Sequence, residues 1–113
     1  MMTREEAEEN MVRAWREYDR AEGREKLRLF FSLADLAAEY EKKGIVPIEM
    51  AAYRICHAGL GAGSDMPAEF EEIFDEACDL ELGEDFVPAD DLRRRWDALI
   101  LQVEHLKKKF GVL

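Results

Sequence analysis

With 113 residues, the chain is long enough for one domain that buries about two thirds of its unfolded surface. A composition 48% hydrophobic and 37% charged excludes an intrinsically disordered chain, and a formal net charge of −10 argues against direct binding to nucleic acid or an anionic membrane. The opening MMTREEAEEN has no apolar signal core, and no apolar run approaches the ~20 residues of a membrane span, so the sequence predicts a cytoplasmic protein.

Thr3 followed by Glu6 has the form of a capping box. Ala7, Met11, Ala14, Trp15, Tyr18 and Ala21 then recur at helical spacing, predicting a first helix over 4–22 that ends at Gly23. A second helix is predicted over 24–43. Its apolar residues, from Leu27 through Phe30, Phe31 and Leu33 to Tyr40, cover roughly 220° of the helix surface. A helix so widely apolar is central or forms a dimer interface, and the central reading is favoured. Pro47 suits the first turn of a third helix that runs to Ala58, with Ile48, Ala51, Ala52, Ile55 and Cys56 inward. Gly59, Gly61 and Gly63 then form a connection. Asp65 is the expected N-cap of a fourth helix over 66–81. Phe86 and Val87 are expected to pack before Pro88 opens a last helix over 88–110. That helix carries Leu92, Trp96, Leu99, Ile100, Val103, Leu106 and Phe110 as one narrow stripe, with Leu101 opposite. With no strand alternation, the prediction is an all-α single-domain bundle of about five helices with short loops.

Charge is distributed unevenly along this chain. From Ser64 to Asp91 there are twelve of the 26 acidic residues and no Lys or Arg. On an ideal helix Glu69, Glu71, Glu72, Asp75, Glu76 and Asp79 fall within roughly 160° of the surface, opposite Met66, Phe70, Ile73, Phe74, Ala77 and Leu80. One face can pack while the other shows carboxylates. Glu81, Glu84 and Asp85 extend the acidic surface beyond the helix. Six acids between Glu69 and Asp79 amount to about one per 3 Å of helix, the same order as the charge density of duplex DNA.

Other chemistry has weaker support. The glycine connection lacks the Lys that a phosphate loop normally supplies, and acids follow it. Glu72, Asp75, Glu76 and Asp79 have helical spacing, but no Glu-x-x-His motif or calcium loop accompanies them, so a solvated face is the expectation and no metal or cofactor is predicted. Adjacent Cys56 and His57 point about 100° apart on a helix, so they make no nucleophile–base pair. Cys56 and Cys78 are read as reduced core residues in preference to a disulfide, and His57 as a surface residue. The clusters Arg93-Arg94-Arg95 and Lys107-Lys108-Lys109 are expected to pair with nearby acids on the surface. No catalytic set is predicted.

From Phe70 to Leu106, the acidic amphipathic helix FEEIFDEACDL, the linker ELGEDF and the opening Asp90-Asp91-Leu92-Arg93 of a long helix resemble the end of bacterial helical immunity proteins of the colicin D immunity type. That resemblance covers about a third of the chain. It implies an acidic bundle that plugs the basic cleft of a nuclease toxin, and it carries over no catalytic residue. The expected function is therefore a non-enzymatic inhibitor. Glu69, Glu72, Asp75, Glu76, Asp79, Glu81, Glu84 and Asp85 would contact a basic nuclease or other nucleic-acid-binding effector. Immunity proteins, antitoxins and phage-encoded inhibitors of CRISPR effectors share this logic. The rival expectation is a helical adapter or homodimer whose acidity serves solubility.

Overall fold

The computed structural model describes residues 1–62 and 66–111. Its five α-helices are α1 (Arg4–Arg20), α2 (Gly23–Lys42), α3 (Ile48–Leu60), α4 (Glu71–Leu80) and α5 (Ala89–Phe110). Short 3-10 turns, Ala68–Phe70 and Gly83–Asp85, precede α4 and α5. No strand occurs among the described residues, so the all-α bundle is the observed fold.

Local sequence explains the start of α1. Thr3 and Glu6 form the expected capping box: the Glu6 N–H donates to Thr3 Oγ1 at 3.1 Å, and the Thr3 N–H donates to Glu6 Oε1 at 3.3 Å. Gly23, expected to close the first helix, is instead the first residue of α2. The exposed C-terminal carbonyls of α1 are capped from the next helix. Lys26, 3% exposed, donates through Nζ to the carbonyls of Tyr18 (3.1 Å), Asp19 (3.4 Å) and Ala21 (3.4 Å). The predicted fourth helix divides in two, a 3-10 turn and then a shorter α4. Asp65, its expected N-cap, and Gly63 lie outside the described residues.

α3 contacts all four other helices, and α2 contacts α1, α3 and α5. Phe30, Leu33, Ala34 and Ala37 are at most 1% exposed, so the broad apolar face of α2 serves the core of its own chain. The Phe30 ring meets those of Phe70 and Phe74 edge-on, at centroid separations of 5.3 and 5.5 Å. These contacts bring the α4 segment onto α2. α4 also packs closely on α3, because Gly59 has no side chain: a Cβ there would lie 2.5 Å from Phe74 Cγ.

This approach places the two cysteines together. Cys56 of α3 and Cys78 of α4 form a disulfide with a Cα–Cα distance of 4.9 Å, within the range that the bond requires. The expectation of reduced core thiols does not hold. Their separation along the chain conceals an adjacency that arises when α3 and α4 pack. His57 is also not a simple surface residue. It is half-buried, stacked on Trp15 at 4.6 Å and on Tyr53 at 5.4 Å.

Candidate acidic interface

α4 places its side chains as its periodicity requires. Ile73, Phe74, Ala77 and Leu80 are buried, while Glu71, Glu72, Asp75 and Asp79 are exposed. Glu76 departs from the expected solvent-facing set. It is half-buried and receives the Arg95 guanidinium of α5, with Arg95 Nε donating to Glu76 Oε2 at 2.8 Å and Nη2 donating to Oε1. Arg95 Nη2 also donates to Asp79 Oδ2 at 3.3 Å. This guanidinium holds the Glu76 carboxyl below its usual range, while partial burial opposes the shift. Glu69, on the first 3-10 turn, pairs with Lys109 at the far end of α5.

The eight residues expected to meet a partner therefore fall into two groups. Glu69, Glu76 and Asp79 are engaged by cations of their own chain. Glu72, Asp75, Glu81, Glu84 and Asp85 make no ion pair among the described residues, and neither do Glu71 and Asp90. Of the eight, those without an ion pair thus lie on the outer face of α4 and on the connection to α5; Glu5 and Glu9 of α1 are likewise without one among the described residues.

Five of the six cluster residues of α5 pair with acids as expected, and Lys108 makes no ion pair among the described residues. Arg93 bonds to Glu41 and Asp97, Arg94 to Asp91, and Lys107 to Asp35 and Glu104. Glu41 has a further role, accepting the Trp96 indole N–H at 3.0 Å.

The connection between α4 and α5 differs from expectation. Val87 is buried at 4%, but Phe86 is 71% exposed, and Leu82 is 47% exposed. Adjacent side chains on irregular backbone point apart, so the pair Phe86-Val87 can seat one member in the core while the other faces outward. That adjacency was the available sequence signal.

Among the described residues no three His, Cys, Asp or Glu side chains converge in a way that can hold a metal ion. No helix there is long and apolar enough to cross a membrane. A shallow groove on the outer face of α2 is lined by Ser32, Asp35, Leu36, Glu39 and Lys43 among others, and the Asp35 carboxylate there is engaged by Lys107. On the α1–α3 seam Arg54 is 8% exposed, with Nη2 at 3.8 Å from Glu8 Oε1. The buried nitrogens Arg54 Nε, Trp15 Nε1 and His57 Nδ1 lack hydrogen-bond partners there. No protein-family model, curated protein or solved structure matches the chain.

Proposed function

We propose that this chain is a non-enzymatic inhibitor whose carboxylates occupy the basic, nucleic-acid-binding site of a partner protein. Nucleases and nucleic-acid-guided effectors are the partner class. Immunity protein, antitoxin and phage-encoded anti-CRISPR inhibitor are the biological forms this takes. One observation carries the reading: Glu71, Glu72, Asp75, Glu81, Glu84 and Asp85 lie within one short stretch and make no ion pair among the described residues. Unpaired charge keeps its field available to a partner, whereas Glu76 and Asp79 have already given much of theirs to Arg95.

The test is inhibition of a panel of purified basic nucleases and nucleic-acid-guided effectors, with a variant carrying Glu72→Lys, Asp75→Lys, Glu84→Lys and Asp85→Lys. Glu76 and Asp79 are left unchanged because altering them would unlatch α4 from α5. Inhibition by the parent chain should weaken with salt, be relieved by competing nucleic acid, and vanish in the variant. A variant that inhibits at full strength would refute the reading.

A further inference from the structure

Leu82 and Phe86 flank the 3-10 turn Gly83–Asp85 and expose 47% and 71% of their surface. Phe86 is left open while Val87 beside it is buried, so the turn puts one apolar side chain into the core and one outward. This turn is constructed to hold its shape. Gly83 adopts φ +71°, a conformation that side-chain-bearing residues rarely take. The N–H groups of Phe86 and Val87 both donate to the Gly83 carbonyl, at 3.1 and 2.9 Å. Glu49 of α3 lies against the turn, where a Cβ on Gly83 would come within 2.6 Å of its Cγ. Pro88 then caps α5. Phe86 is therefore presented from a fixed backbone, which lowers the ordering cost of binding.

The surroundings identify the occupant. Glu81, Glu84 and Asp85 share this turn with Glu49 beside it, and none makes an ion pair among the described residues. A second copy of the chain would bring this acidic rim against its own equivalent, as two-fold pairing requires, and like charges would oppose it. An anionic lipid surface meets the same repulsion. A cationic protein surface with an apolar recess matches both features. We infer that Leu82 and Phe86 are the apolar anchors of the interface with the basic partner, seated in an apolar recess while the surrounding carboxylates meet Lys and Arg. The inference rests on the proposed inhibitory reading and adds to it a hydrophobic determinant of affinity, since interface energy concentrates in a few central aromatic residues within a polar rim.

Two synthetic peptides of equal length and charge, one of Lys and Ser and one of Lys and Leu, separate charge from apolar anchoring. The parent chain should bind the Lys/Leu peptide at least about tenfold tighter than the Lys/Ser peptide. Leu82→Ser/Phe86→Ser should erase that preference, leave Lys/Ser binding unchanged and retain the parent's thermal midpoint. Glu81→Gln/Glu84→Gln/Asp85→Asn should weaken both peptides. A preference that survives loss of Leu82 and Phe86 would overturn the anchor while leaving the charge reading in place. Indifference of both peptides to neutralising the three acids would remove the charge reading itself. A dimer that Phe86→Ser dissolves, or Phe86-dependent binding to phosphatidylcholine vesicles, would also overturn the inference, by assigning the tip to another occupant.

Discussion

Trp96 is 1% exposed, and its indole N–H ends on the Glu41 carboxylate, so both its apolar body and its polar edge are satisfied. Trp96→Ala should cost roughly 3–5 kcal/mol. Leu101, 58% exposed on the same helix, should lose well under 1 kcal/mol when changed to Ala. Denaturant unfolding of the two variants checks the contrast, and equal losses would contradict the burial pattern. Gly59→Ala presents the opposite problem. Its new methyl would collide with Phe74, and overpacking of this kind typically costs about 1–3 kcal/mol. The facing of Trp96 and Leu101 was legible in the sequence, because both follow from period 3.6 within one helix. The roles of Lys26, Glu41 and Gly59 were not. Each depends on a neighbouring helix that no local pattern identifies. A buried lysine reads as a surface charge until the carbonyls of Tyr18, Asp19 and Ala21 are placed above it.

At the scale of the element, α4 is short, ten residues, and is held from two sides. The disulfide and Phe74 fasten it to α3, and Arg95 latches it to α5. The latch predicts a pH dependence. Glu76 has a depressed carboxyl pKa in the folded state, so its contribution is fully present above its unfolded value near 4.5. It is lost as pH falls through the folded value. Thermal midpoints of the parent and Glu76→Gln should therefore differ at neutral pH and converge in acid. The gap should be about 1 kcal/mol or less, because a third of the Glu76 side chain is exposed. The disulfide contributes more. Closing a loop of 22 residues' separation constrains the unfolded chain by about 3 kcal/mol, so a Cys56→Ala/Cys78→Ala variant should unfold at clearly lower denaturant. Helix existence and order were readable from caps and periodicity. The same periodicity placed Glu76 in water, because it describes one helix at a time. The cation that draws Glu76 inward belongs to α5, nineteen residues further along.

For the whole molecule, the net charge of −10 matters less than where it is left uncompensated. α5 uses Arg93, Arg95, Lys107 and Lys109 to tie α2, α4 and the turn before α4 into one body. The acids of α4's outer face and the following turn, Glu71, Glu72, Asp75, Glu84 and Asp85, make no ion pair among the described residues. Association with a basic partner should therefore slow steeply between low and physiological salt, while dissociation changes less. Stopped-flow mixing at several ionic strengths separates the two. Arg94→Ala and Lys108→Ala should leave both rates near the parent values, since among the described residues Arg94 forms an ion pair only with Asp91 of its own helix and Lys108 forms none.

The link between Cys56 and Cys78 also changes what a broken backbone means. The stretch from α3 to α4, including the glycine-rich connection, lies inside the covalent ring that the two cysteines close. A protease that nicks the chain once, anywhere between those residues, therefore releases no fragment. The two pieces should migrate as one molecule on a non-reducing gel and separate only when a thiol is added. With α4 still carrying Ile73, Phe74 and Leu80 into the core, the nicked species should also keep most of its helical circular dichroism until that moment.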